Sequence, residues 1–172
     1  MKSTPNTTYY ATIESPMGPI LMLSNGTGLT GLRISDPNPE VGWIESVDAA
    51  PFAQARRELA EYFAGERTDF TIPLAPEGTE FQKQVWAELE KIPYGITISY
   101  GELATRIGNP AASRAVGLAN GRNPIWLVVP CHRVIGSSGK MVGYAGGIER
   151  KIAMLDFEAA VLANGPQSFP TL

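Results

Sequence analysis

The sequence predicts an α+β fold: a small N-terminal antiparallel sheet with one helix, followed by a mainly helical part. Two observations carry this. Short β-type runs alternate with turn residues up to about residue 34, apolar residues recur with helical spacing from Thr79 onward, and the proline-punctuated stretch Ile72-Pro73-Leu74-Ala75-Pro76-Glu77-Gly78 lies between the two regimes. That stretch reads as a linker, which divides the chain into segments 1–76 and 77–172.

In the first segment, β-type runs at residues 9–13, 20–23 and 29–34 are separated by Pro16-Met17-Gly18 and Asn25-Gly26, the pattern of an antiparallel sheet with tight turns. After prolines 37 and 39, residues 51–64 place Phe52, Leu59, Tyr62 and Phe63 at helical spacing and stop at Gly65. One helix should therefore pack on the sheet.

In the second segment Thr79 and Gln82 have capping-box spacing, and Phe81, Val85 and Leu89 share a helix face; the helix should end near Pro93-Tyr94-Gly95. Ser99 and Glu102 repeat the box ahead of Leu103 and Ile107, Gly108 supplies a stop, and Asn109-Pro110 a cap and first position for a further helix to about residue 120. The result is a helix-turn-helix whose second helix carries Arg114 and the small residues Ala111, Ala112, Ser113, Ala115, Gly117 and Ala119, which permit close approach of a partner. Residues 125–129 are apolar and β-type, ending at Pro130-Cys131-His132-Arg133. Gly136-Ser137-Ser138-Gly139 then resembles the turn of a wing, and Gly146-Gly147 leads into a last helix over about 148–162.

With 44% hydrophobic residues the 172-residue chain can bury a substantial core, and no stretch is apolar and long enough to span a bilayer. Pro5, Glu14, Pro16 and Pro19 occupy the region where a signal peptide needs an apolar block, so a cytoplasmic location is expected. Cys131 is the only cysteine and His132 the only histidine, which excludes an internal disulfide and a Cys/His zinc cluster; no metal site is expected.

The net charge is -3, but it is unevenly spread. Five basic residues face nine acidic ones up to Pro76, and nine face eight from Glu77. Residues 103–148 contain Arg106, Arg114, Arg122, Arg133 and Lys140 and no Asp or Glu, a segment able to face a polyanion.

A cysteine is nucleophilic only as thiolate, so Cys131 needs a neighbour that lowers its pKa or takes its proton; His132 is the candidate by type. Neighbouring side chains point apart, which favours a water-bridged contact over a direct pair. An acid of the last helix, Glu149, Asp156 or Glu158, could fix the histidine tautomer, and spacing does not choose among them. Gly136, Gly139, Gly143, Gly146 and Gly147 would let backbone approach a bound planar group.

Pro130-Cys131-His132-Arg133-Val134-Ile135 closely resembles the active-site signature of the O6-alkylguanine-DNA alkyltransferases of bacterial type. The likeness runs from about Phe81 to Glu158, through Ile92-Pro93-Tyr94-Gly95, Ser99-Tyr100-Gly101-Glu102-Leu103-Ala104, Gly108-Asn109-Pro110, Ala112-Ser113-Arg114-Ala115-Val116-Gly117, Asn123-Pro124 and Gly143-Tyr144-Ala145-Gly146-Gly147; the first segment is only loosely similar.

The resemblance implies a winged helix-turn-helix that binds double-stranded DNA through the minor groove and direct-reversal repair, in which Cys131 irreversibly takes an alkyl group from O6-alkylguanine. O4-alkylthymine is a second candidate substrate. It implies that Ser113, Arg114 and Ala115 contact DNA, with Arg114 filling the gap left by the extruded base and Tyr100 helping to turn the nucleotide out. Asn123 would form a hinge to the cysteine segment, and Cys131, His132 and Glu158 a water-bridged relay. Backbone around Cys131 and Val134 would read the guanine edge, Tyr144, Ala145 and Gly146 would shape the pocket, and Tyr100 would hydrogen-bond the leaving ring. Ala145 stands where some members have Ser, which removes a side-chain hydroxyl contact to the alkylated oxygen and leaves the backbone amide to make it. No cofactor is implied, no membrane partner is expected, and the protein is expected to be a monomer in solution that can cluster on DNA.

Three rivals remain. An alkyltransferase-like lesion binder would lack the cysteine that is present here, a transcriptional regulator would prefer one undamaged sequence, and a Cys-His acyl transferase would turn over repeatedly.

Overall fold

The computed structural model describes residues 6–34 and 36–172; Pro5 and Lys2 lie outside the described residues. Strands β1 (Tyr9–Ile13), β2 (Ile20–Ser24) and β3 (Leu29–Arg33) pair antiparallel as expected, with Ile13 opposite Ile20 and Leu21 opposite Arg33. Between β2 and β3 the Asn25 carboxamide oxygen accepts from the N–H groups of Thr27 and Gly28, and Gly26 takes a φ of 94°. The sheet is mixed, not purely antiparallel. A strand β4 (Ile44–Glu45) lies parallel to β1, giving the order β3-β2-β1-β4. Both its residues are exposed and it is two residues long, so no alternation marked it in the sequence.

Helix α1 (Phe52–Phe63) buries Phe52, Ala55, Leu59 and Tyr62 in the same core as Ile20, Met22, Leu29 and Leu32 of the sheet. It stops at Gly65, where φ is 71° and an added Cβ would come within 2.6 Å of the Gln167 carbonyl oxygen. Residues 73–75 follow the edge of β3: Leu29 N–H donates to Pro73 O (2.9 Å) and Ala75 N–H to Leu29 O (2.7 Å). Farther along that edge, Leu32 N–H donates to Pro124 O (2.9 Å) and Trp126 N–H to Leu32 O (3.2 Å). Two short segments thus cover an edge that would otherwise expose unpaired backbone. One apolar core runs from Ile20 and Tyr62 through Val85 and Val116 to Phe157.

Helix α2 (Glu80–Leu89) begins with the complete Thr79/Gln82 capping box. It ends at Leu89, short of the expected stop at residues 93–95, because the chain turns so that Ile92 N–H reaches Leu89 O (3.0 Å) and Ile92 is buried ahead of Pro93. After β5 (Ile98–Ser99) comes α3 (Tyr100–Arg106). Ser99 Oγ accepts from Glu102 N–H, but the Glu102 carboxylate turns to Arg106 (2.8 Å), so only half of the second box forms. Gly108 at φ 80° makes the turn; Asn109 gives no side-chain cap, and Pro110–Ala112 form a 3-10 turn ahead of α4 (Ser113–Gly121), which therefore begins later than expected.

The apolar run at 125–129 is not a strand. Ile125 makes one bridge to Leu32 and the chain then turns, with Leu127 at φ 72°. A 3-10 turn (Cys131–Arg133) leads into β6 (Val134–Ile135), which pairs parallel with β5. The expected turn forms, with Gly136 N–H on Lys140 O (2.8 Å), but among the described residues no strand follows it, so the wing has a strand on one side only. Helix α5 (Ile148–Asn164) closes the fold. Among the described residues no helix is long and apolar enough to cross a membrane.

Candidate active site

Cys131 lies in the 3-10 turn with only 4% of its surface exposed. Asn123 shapes the loop that delivers it: its side-chain N–H donates to Val129 O (2.8 Å) and its side-chain oxygen accepts from Ile125 N–H (3.0 Å), joining the end of α4 to the cysteine turn. Burial pushes the Cys131 thiol up to about 11, against the opposing effects of the Asn123 side chain, the Lys151 charge and nearby backbone N–H groups. At neutral pH the resting sulfur is therefore a thiol, and it needs a base to become a nucleophile.

His132 is wholly buried, and its Nε2 lies 2.7 Å from Glu158 Oε2. Of the three acids that spacing left open, Glu149 and Asp156 are exposed and Glu158 alone meets the histidine. The Glu158 carboxylate also accepts from Tyr62 Oη (2.8 Å, on Oε2), Arg133 Nε (2.8 Å, on Oε1) and Gly95 N–H (3.0 Å, on Oε1). Burial alone would raise its pKa; the hydrogen bonds and charges of His132 and Arg133 outweigh that and hold it down to about 2. Burial lowers the pKa of His132, with the Glu158 charge opposing, so the ring is neutral at neutral pH. A neutral ring facing an ionised carboxylate carries its proton on Nε2, which leaves Nδ1 as the acceptor. Nδ1 is buried and has no hydrogen-bond partner among the described residues; no hydrogen bond joins the His132 and Cys131 side chains.

Tyr100, Ser113, Arg114, Gly117, Tyr144 and Ala145 line an open cleft of about 550 Å³. Arg114 and Ala115 are exposed on α4, Ser113 is half-buried, and Tyr100 Oη points at Val142 O (3.5 Å). Burial raises the Tyr100 pKa, and the neighbouring Cys131 sulfur adds to the effect. Val134 is buried; its N–H donates to Cys131 O and its carbonyl accepts from Lys151 Nζ (2.6 Å), leaving each carbonyl one further lone pair. Among the described residues the buried Tyr144 hydroxyl has no hydrogen-bond partner, and its ring explains Gly146, where an added Cβ would stand 2.7 Å from the ring.

Sequence reasoning passed over Arg133, Lys151 and Tyr62 as site residues. Arg133 donates to Glu158 and, through Nη1, to Ile92 O (2.8 Å); Lys151 Nζ ties Val134 O to Val142 O (2.9 Å). The position of Arg133 beside the Cys-His pair was the one available signal. Tyr62 lies 96 residues from its partner and gave none.

Comparison with known proteins gives a consistent result. The model for the 6-O-methylguanine DNA methyltransferase DNA binding domain matches residues 80–160, and that for the ribonuclease-like domain of the same name matches residues 8–76. The methylated-DNA–protein-cysteine methyltransferase of Methanosarcina acetivorans is 51% identical, over 88% of this chain and 99% of its own, and that of Mycobacterium leprae is 52% identical, over 85% and 89%. A crystal structure of the Mycobacterium tuberculosis homologue in complex with DNA superposes with a TM-score of 0.82 at 51% identity, covering 88% of this chain and 93% of that one. A crystal structure of the same species' O6-methylguanine methyltransferase superposes with a TM-score of 0.82 at 50% identity, covering 90% of this chain and 94% of that one. The chain belongs to the 6-O-methylguanine DNA methyltransferase family.

Proposed function

We propose that this protein repairs O6-alkylguanine in DNA by direct reversal, moving the alkyl group once and irreversibly onto Cys131, as a single-turnover methylated-DNA–protein-cysteine methyltransferase. The observation that carries this reading is the pairing of His132 Nε2 with Glu158, which leaves a bare, buried Nδ1 next in sequence to a buried thiol. Through one bridging water molecule Nδ1 accepts the thiol proton. The thiolate attacks the alkyl carbon, the S–C bond forms as the C–O6 bond breaks, and guanine leaves with the electron pair. Tyr100, at the mouth of the cleft, hydrogen-bonds the departing ring, whose gain of a proton balances the one lost by sulfur. The product thioether offers water no leaving group, so each molecule acts once.

DNA is the partner, and the mode of binding belongs to the same proposal. The exposed Arg114 and Ala115, with Ser113, enter the minor groove; the base is turned out into the cleft lined by Tyr100, Tyr144 and Ala145, and Arg114 takes its place. Asn123 couples this docking to the cysteine turn. Val134 and Gly146 shape the pocket from behind its lining, Gly146 by leaving room for the Tyr144 ring, and O4-alkylthymine is the second substrate to be tried. The protein acts in the cytoplasm as a monomer that can cluster on DNA. The division into segments 1–76 and 77–172 gives the first the task of supporting the second.

Intact-protein mass spectrometry after incubation with a duplex carrying one O6-methylguanine tests the proposal. The expected result is one added methyl group on the Cys131 peptide, saturating at one per chain. Tight lesion binding without a mass change would assign the protein to the non-reacting lesion binders.

A further inference from the structure

Tyr62 belongs to α1, in the first segment, yet its hydroxyl ends on the acid of the relay, 2.8 Å from Glu158 Oε2. Its ring is fully buried among Phe63, Phe70, Tyr94 and Phe157, at centroid distances of 5.4, 5.7, 6.1 and 5.8 Å. Phenylalanine would serve that packing equally well. A buried hydroxyl must be matched by a partner, and here the partner is the atom that also holds His132.

The four donors to Glu158 fall two on each oxygen: Gly95 N–H and Arg133 on Oε1, His132 and Tyr62 on Oε2. Each carboxylate oxygen has about two acceptor sites in the plane. Tyr62 therefore fills the position on Oε2 that His132 leaves, and the carboxylate can neither rotate nor take over the Nε2 proton readily.

We infer that Tyr62 is a positioning residue for alkyl transfer: through Glu158 it holds the proton of His132 on Nε2 and so keeps Nδ1 the base, which makes the first segment part of the reaction centre. The inference rests on the relay reading given above. The charged groups around His132 are Glu158 and Lys151 on α5 and Arg133 in its own turn, with Tyr62 from α1 and Tyr94 from the loop after α2 close to the Glu158 charge. Among these, Tyr62 can lose its donor without any change of charge.

The test is single-turnover transfer by full-length Y62F from a duplex with one O6-methylguanine, followed as a function of pH, with E158Q in parallel. Without the hydroxyl the carboxylate is free to rotate, so Nδ1 is aimed less well at the thiol proton, and the carboxylate is also more basic, so the ring takes up a proton at higher pH. The transfer rate should fall by about tenfold, and the acid limb of the pH profile should move to higher pH, while circular dichroism and affinity for the duplex stay as in the parent. An unmoved acid limb, whether or not the rate falls, overturns the inference, since a purely structural role lowers the rate without shifting the profile. If E158Q transfers at the parent rate, the relay itself fails and the inference with it; if E158Q is slow and Y62F matches the parent, the role of Tyr62 alone is refuted. Should Y62F not fold, 3,5-difluorotyrosine placed at position 62 keeps the ring and makes the hydroxyl a stronger donor. The acid limb should then move to lower pH, and an unmoved limb overturns the inference equally.

Discussion

His132 Nε2 and Glu158 Oε2 lie 2.7 Å apart with both side chains closed to solvent, and this pair decides which ring nitrogen can act. Burial holds the His132 pKa below its ordinary 6.5 and the partners of Glu158 hold its carboxyl down to about 2. Alkyl transfer should therefore stay constant through neutrality and fall only below about pH 6.5, as Nδ1 becomes protonated. Both folded-state values are depressed, so both groups bind protons less readily when folded. The stability that Glu158 contributes is complete above its unfolded value near 4.5 and is lost as pH falls from there toward 2, on the order of 3 kcal/mol. Urea denaturation as a function of pH should show this loss, and E158Q should flatten it.

Cys131 is the single sulfur nucleophile, and its thiol sits at about 11 because it is buried. C131S and C131A should abolish transfer while duplex binding, measured by fluorescence anisotropy, remains. Methyl transfer by either variant would remove Cys131 from the mechanism.

Arg114 is exposed on α4 and lines the cleft. R114A should slow repair of duplex by tenfold or more, on the order of 1.4 kcal/mol of transition-state stabilisation, and leave reaction with free alkylguanine base nearly unchanged. Equal losses on both substrates would place Arg114 in the chemistry instead of in base extrusion.

The elements with local signals were legible in the sequence. The Thr79/Gln82 box, the three strands bounded by turn residues and the stop at Gly65 stand where patterning put them, because caps, tight turns and left-handed residues are decided within a few residues. The run at 125–129 misled, since a buried turn and a buried strand carry the same apolar residues, and only the φ of 72° at Leu127 separates them. Strand β4 pairs with β1 across 35 residues through two exposed positions, so nothing nearby announced it. At the site, Cys131 and His132 declared themselves by type, and spacing left three acids open. Geometry brings only Glu158 to the ring, and the contact of Tyr62 with it depends on tertiary packing that no local pattern encodes.

Arg133 is the cation of a buried ion pair with Glu158 at 2.8 Å and also donates to Ile92 O. Its side chain is 7% exposed, so water cannot replace it. R133M strips the carboxylate of a charged donor inside the core, and such a break costs about 3–5 kcal/mol. Chemical denaturation should show a loss of that size, and thermal melting a matching fall in Tm.

Lys151 is wholly buried on α5, and its ammonium bridges Val134 O (2.6 Å) on one side of the 136–140 turn and Val142 O (2.9 Å) on the other. The same charge lowers the Cys131 pKa, while burial lowers its own. One side chain therefore both ties down the loop that carries Tyr144 and Ala145 and favours the thiolate. K151M keeps much of the volume and removes both effects. Amide exchange across residues 136–146 should speed up by about tenfold, and the pH at which Cys131 reacts with iodoacetamide should rise. The two readouts separate the roles: faster exchange with unchanged thiol reactivity would make Lys151 a clasp only, whereas changed reactivity with unaltered exchange would mean that the loop is held by its own turn and that the charge acts on sulfur alone.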